Sequence, residues 1–70
     1  MPTHEFTIRM ESGFQRTFQG TREEMSLLRE RILGAMVQPT RRMITMQLST
    51  EDVAVRPWEV EDVGPLEPVR

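Results

Sequence analysis

The sequence predicts a small α+β domain with two layers, in which one helix packs on one face of an antiparallel sheet, in the order ββαββ. Three observations predict it. Apolar and polar residues alternate in two paired runs, within residues 5–19 and 43–56, and a turn-like stretch divides each pair. Between them, residues 22–37 carry apolar side chains at helical spacing. Finally, 70 residues are enough for one domain only.

The first two strands are predicted at residues 5–10 and 14–19. In the first, Phe6, Ile8 and Met10 alternate with polar neighbours, which is the period of a half-buried strand. The second strand contains two more phenylalanines four residues apart. Because side chains alternate between the two faces of a strand, those phenylalanines share one face.

The length of the first loop decides whether the two apolar faces agree. A three-residue loop at 11–13 pairs Phe6 with Phe18 and turns all the apolar side chains to one face, whereas a two-residue loop turns them to opposite faces. The longer loop also places Gly13 where a left-handed residue is needed. We therefore expect the three-residue loop, with Phe14 and Phe18 both pointing toward the helix and Arg16 between them on the same face.

The helix is predicted over residues 22–37. Thr21 and Glu24 have the spacing of a capping box. The residue before Pro39 is biased away from helix, and Gly34 offers an earlier end. The predicted apolar face consists of Met25, Leu28, Ile32, Ala35 and Met36.

The second hairpin is predicted from the alternation within residues 43–56. A four-residue loop that pairs Leu48 with Val53 and Met46 with Val55 keeps these four side chains on one face. Pro57 ends the last strand, and the apolar rhythm beyond it suggests a turn and a short strand near 60–63.

The expected domain is therefore residues 1–63, and 64–70 is expected to be a flexible tail that contains two prolines.

Composition excludes several kinds of site. The chain has no cysteine and one histidine, so disulfides and cysteine-based zinc sites are excluded. No phosphate-binding glycine loop or nucleophile elbow is present. We expect no enzyme activity, no cofactor and no metal. No apolar run reaches membrane-spanning length and no signal segment is recognisable, so we expect a cytoplasmic protein with no membrane partner.

Charge is divided along the chain. All nine basic residues are arginines, and the net charge is −2. Residues 1–50 carry seven arginines and five glutamates, whereas 51–70 carry six acids and two arginines. A net negative charge and the absence of aromatic residues from the predicted open sheet face make nucleic acid an unlikely partner.

The residue types favour a non-enzymatic protein-interaction domain, such as a small bacterial or phage regulator or inhibitor that binds a larger protein. The alternatives are a nucleic-acid-binding or nucleic-acid-mimicking module and an accessory subunit of a larger assembly. A homodimer is a further option, because domains of this size often gain stability by association. Exposed aromatic, methionine and arginine side chains are typical interface anchors, and carboxylates could meet a basic surface. The candidate contacts are Trp58, Met43, Arg41, Arg42, Arg9, Glu59, Glu61 and Asp62.

Overall fold

The computed structural model describes residues 1–38 and 41–70, and the predicted α+β class is confirmed. One helix accompanies antiparallel strands, and a short 3-10 turn follows the fourth strand. The elements are β1 (His4–Met10), β2 (Gln15–Gly20), α1 (Arg22–Met36), β3 (Ile44–Gln47), β4 (Asp52–Val55), the 3-10 turn (Pro57–Glu59), β5 (Val60–Val63) and β6 (Glu67–Pro68).

The first hairpin has the predicted register. Phe6 lies opposite Phe18, and Ile8 lies opposite Arg16. Gly13 has a φ of 90°, in the left-handed region that favours glycine. Its N–H donates to the carbonyl of Met10 at 2.9 Å, which closes the three-residue loop.

The helix begins with the predicted capping box. The Thr21 hydroxyl accepts from the N–H of Glu24, and the Glu24 carboxylate accepts from the N–H of Thr21. These bonds satisfy two of the amides that a helix N-terminus leaves unpaired. The helix continues through Gly34 to Met36, so it ends where the Pro39 signal indicates and not at the glycine.

Strand β1 lies at the centre of the main sheet. β2 pairs along one side of it, while β5 and β6 pair with different parts of its other side. Between β5 and β6, the N–H of Gly64 donates to the carbonyl of Thr7 at 2.7 Å. A Cβ at Gly64 would lie 3.0 Å from that same oxygen, so glycine permits this close approach.

Part of the segment predicted as a tail pairs with β1. Residues 67–68 form β6, and the N–H of Val69 donates to the carbonyl of Thr3 at 2.9 Å. The N-terminal and C-terminal residues therefore lie beside each other, joined by backbone hydrogen bonds. The predicted turn after Pro57 and the predicted strand at 60–63 are both present, as the 3-10 turn and β5.

The second hairpin corrects two expectations. Met46 lies opposite Val53 and Ile44 opposite Val55, a shift of two residues from the predicted pairs. A two-residue shift keeps every side chain on its face, so alternation cannot detect it. This hairpin also forms its own two-stranded sheet instead of joining the other strands.

The core lies between the inner face of the main sheet and two covering elements. Phe6 and Phe18 have ring centroids 5.4 Å apart and are almost completely buried. The helix packs against β1 and β2, and Val53 and Val55 of the second hairpin belong to the same buried cluster. The buried residues are Phe6, Ile8, Phe18, Met25, Leu28, Ile32, Leu48, Val53, Val55 and Val60.

Phe14 contradicts the expectation that it points into this core, because it is 64% exposed. The helix packs against the 3-10 turn, and Arg29 Nε donates to the carbonyl of Gly64 at 2.8 Å, on the far side of β1 from β2. The helix also contacts β1, β2 and β5, but Phe14 lies at the tip of the first hairpin, before β2 begins, and stays largely exposed.

Candidate functional site

A groove opens between the tip of the first hairpin and strand β4, and we call it the tip groove. Its volume is about 240 Å³. The N–H of Glu11 donates to the carbonyl of Glu59 at 2.9 Å, which fixes the 3-10 turn beside the hairpin tip. The lining residues are Ile8, Met10, Phe14, Arg16, Met43, Ala54, Val55, Arg56 and Glu59.

The tip groove combines exposed apolar side chains with a base that belongs to the core. Phe14 is 64% exposed and Met43 is 48% exposed. Ile8 and Val55, which line the same groove, are core residues. Met10 is half-buried and packs against the core. The groove therefore lies between the first hairpin and β4, with core residues of both at its base.

Two arginines and a glutamate line the rim of the groove. The Arg16 guanidinium lies 4.6 Å from the centroid of the Phe18 ring, and its Nη2 is 3.9 Å from Glu51 Oε1. Arg56 Nη1 donates to Glu59 Oε1 at 3.4 Å. All four side chains in these ion pairs are at least 40% exposed. Such exposed pairs contribute about 0–1 kcal/mol, so little free energy holds the arginines in place.

The structure brings two of the predicted contact residues into the groove. Met43 and Glu59 line it. Arg41 and Arg42 are exposed and immediately precede Met43 in the chain. Trp58 is half-buried in the 3-10 turn that packs against the helix, and it is not among the residues that line the groove.

The other three predicted contacts lie elsewhere, on the polar face of the main sheet. Arg9 is opposite Asp62 in the β1–β5 ladder, and its Nη2 is 3.6 Å from Glu61 Oε1. The hydroxyls of Thr7 and Thr17 share a hydrogen bond of 2.8 Å across β1 and β2 on this face. On this face, Arg9 pairs with Glu61 and Thr7 with Thr17, so these polar side chains bind one another.

Sequence reasoning did not name seven of the nine lining residues as contacts, among them Phe14, Arg16 and Arg56. Phe14 closes the three-residue loop opposite Met10, since the N–H of Met10 donates to its carbonyl at 2.8 Å. A side chain next to a hairpin turn lies at the end of the sheet, where a helix that packs on the sheet need not reach. That position was a usable signal, whereas the approach of Arg56 depends on how the second hairpin packs.

A second polar cluster joins the start of the helix to the second hairpin. Glu24 Oε2 accepts from the N–H of Ser49 at 2.8 Å, and Glu24 Oε1 accepts from the Ser49 hydroxyl at 3.2 Å. The backbone N–H of Thr21, followed by that of Ser49, lowers the pKa of Glu24 below its ordinary value. Because these bonds stabilise the ionised carboxylate, the cluster has a structural effect: it holds the 48–51 turn against the helix.

The described part of the chain contains no cluster of side chains that could hold a metal ion. Within residues 1–38 and 41–70, no three His, Asp or Glu side chains come together as metal ligands would. His4, the single histidine, shares a hydrogen bond of 2.9 Å with Thr3 near the start of the chain. In the tip groove, the single carboxylate is paired with an arginine. The arrangement can bind another molecule by apolar contact and charge.

No protein-family model, curated protein or solved structure matches the chain. Among the residues that the structure describes, the helix α1 is too short and too polar to cross a bilayer.

Proposed function

We propose that this domain is a non-enzymatic protein-interaction domain that binds a larger protein through the tip groove. The observation that supports the proposal is that Phe14 and Met43 are both exposed and both line one concavity, whose base is the core. Apolar surface that a fold leaves uncovered in a concave place is typical of interaction sites. A cytoplasmic regulator or inhibitor is the role that we propose for such a domain.

The dimensions of the groove favour a protein partner over a small molecule. Its volume of about 240 Å³ is below the roughly 300–1,000 Å³ usual for ligand pockets, and over Met10, Phe14 and Glu59 it continues into an open depression of about 470 Å³, which suits an extended partner surface. A groove of this size receives one large side chain of a partner, while the surrounding surface contacts the partner's backbone. Methionines suit this role, because their unbranched side chains adapt to different shapes.

Affinity capture from host-cell extract tests the proposal when the wild-type domain is compared with groove variants. Phe14→Ser and Met43→Ser remove exposed apolar side chains, so the fold should be retained. Leu33→Ser and Val37→Ser are matched controls, because these residues are also exposed but lie on or just after the helix, outside the groove. We expect a partner that the wild type and both controls retain and that both groove variants lose. A partner profile that is the same for all five proteins would refute the proposal.

Nucleic-acid binding is the second candidate, and the exposure of Phe14 favours it. A base could stack on this ring while Arg16 and Arg56 meet phosphates. Glu59 and Glu51 beside these arginines oppose it. Retention on immobilised single-stranded DNA at low salt that Phe14→Ser abolishes would support this candidate, and absence of retention would reject it.

A further inference from the structure

We infer that the tip groove receives an acidic segment of the partner protein, with one large apolar side chain between carboxylates. This inference rests on the proposed protein-interaction function and specifies the chemistry of the partner. The apolar side chain would lie against Phe14 and Met43. Carboxylates before and after it would meet Arg16 and Arg56.

The charges around the groove carry the inference. Arg16 and Arg56 both line it, and Arg41 and Arg42 are exposed directly before Met43. Two acids oppose them, Glu51 beside Arg16 and Glu59 beside Arg56. Among the lining residues alone, two arginines outnumber one glutamate around an apolar centre, which is complementary to an apolar side chain flanked by acids.

The present partners of the two rim arginines can be exchanged. The Arg16–Glu51 distance of 3.9 Å is at the long limit for an ion pair, and both side chains are well exposed. A carboxylate of a bound segment would approach where apolar contact excludes water. There it can form the forked, charge-assisted hydrogen bonds that arginine favours.

A second copy of this chain is a weaker candidate for the occupant. Its own acidic stretch, residues 59–67, has acids on either side of apolar residues. Within the fold, however, Glu61 is paired with Arg9, and Leu66 packs against the core. A second copy would have to release β5 and its neighbours from β1 to present such a segment. A separate protein with an exposed acidic segment has no such cost.

Titration of the ¹⁵N-labelled full-length chain with short synthetic peptides tests the inference by NMR. The first peptide has one phenylalanine flanked on each side by glutamate and aspartate. Three comparison peptides replace the phenylalanine with alanine, the acids with serine, or the acids with lysine. An oligothymidylate of similar length is the nucleic-acid probe.

We expect the acidic phenylalanine peptide to shift the amide signals of Phe14, Met43 and Ala54, and to bind most tightly of the four. Arg16→Gln combined with Arg56→Gln should weaken it about tenfold, while Arg31→Gln, on the exposed helix surface, should have no effect. Raising the salt concentration should weaken the binding of the acidic phenylalanine peptide to the wild type, because exposed charges are screened.

Four results would overturn the inference, and they have different consequences for the proposed function. Equal or tighter binding of the serine or lysine peptide at the groove would reject the acidic partner and leave protein binding in place. Groove signals that shift with protein concentration alone would identify a second copy as the occupant. Binding of oligothymidylate alone would replace the partner with nucleic acid. If no peptide and no oligothymidylate bound, and Phe14→Ser captured the same proteins as the wild type, both the acidic partner and the protein-interaction function would be rejected.

Discussion

The two hairpins of this domain have the same alternating pattern, but different interactions fix their registers. In the first, Gly13 has a positive φ, and the turn that it permits sets which residues face each other. In the described residues, no other position has a positive φ. The turn of the second hairpin is closed by the N–H of Leu48, which donates to the carbonyl of Glu51 at 2.8 Å, and it is also held from outside, by hydrogen bonds from Ser49 to Glu24 of the helix.

The difference shows what kind of information a register needs. A turn that depends on a local backbone conformation can be predicted from the residues of the turn. A turn that is held by a distant side chain cannot. Among the strands that the structure describes, the second hairpin also pairs with no other, so its packing against the core and the helix decides its position.

The largest expected effect is on the free energy of unfolding, and it compares how much each hairpin contributes to the core. Phe18→Ala in β2 should lower the free energy of unfolding by about 3–5 kcal/mol, because it leaves a cavity at a fully buried site. Met46→Ala in β3 should cost less than about 2 kcal/mol, since Met46 is half-buried. Urea unfolding followed by Trp58 fluorescence measures both, and Phe18→Leu gives a graded value if the alanine variant does not fold. Equal losses of unfolding free energy would mean that the two hairpins contribute equally to the core.

Gly13→Ala tests the local fixing of the first register. An alanine in the left-handed region should cost about 1–2 kcal/mol. Thr50→Ala, in the turn of the second hairpin, is the matched substitution and should change stability by less than about 0.5 kcal/mol. Thermal unfolding of both variants provides the measurement. A loss at Thr50 as large as that at Gly13 would contradict the proposed difference between the turns.

Glu24→Gln tests the external support of the second hairpin through its pH dependence. The folded-state pKa of Glu24 is lowered, so the ionised carboxylate stabilises the fold above its unfolded pKa, and this contribution is lost as pH falls through the folded value. The wild type should therefore be more stable than Glu24→Gln at pH 7, and the two should converge in acid. Glu23→Gln, on the exposed side of the same helical turn, is the control. A constant difference across pH would contradict this assignment.

The smallest effect concerns the ion pair between the hairpins, Arg16 with Glu51. A double-mutant cycle with Arg16→Gln and Glu51→Gln should give a coupling of about 0.2–1 kcal/mol that decreases at high salt. The Arg9–Glu61 pair, at 3.6 Å within the main sheet, supplies a second cycle for comparison. A coupling above this range would show that the pair joins the hairpins more strongly than its 3.9 Å distance indicates.

Much of the fold could be predicted from short-range chemistry. The capping box at Thr21, the left-handed residue at Gly13 and the end of the helix before Pro39 each follow from one or two residues and a known backbone preference. The second register could not be predicted in this way, because its two candidate pairings place the same side chains on the same faces. The Glu24–Ser49 bonds that accompany the observed pairing join residues 25 positions apart.

The tip groove was only partly predictable for a related reason. Met43 and Glu59 were predicted as contacts from residue type and position, whereas Phe14 was assigned to the core because its face is apolar. That prediction was wrong, because periodicity does not show how far the helix extends toward the hairpin tip. Exposure at the end of a sheet depends on which element covers it. Here Arg29 of the helix binds the carbonyl of Gly64, and Phe14 at the hairpin tip is 64% exposed.

The hydrogen bond between Val69 and Thr3 has a topological consequence. Because the first and last strands end side by side, a short linker could close the backbone into a ring. New termini opened between Ser49 and Thr50 would then begin the chain at β4 and end it at β3, with every sheet pairing kept. For the same reason, the whole domain could be inserted into a surface loop of another protein and held by two adjacent connections, with the tip groove left free.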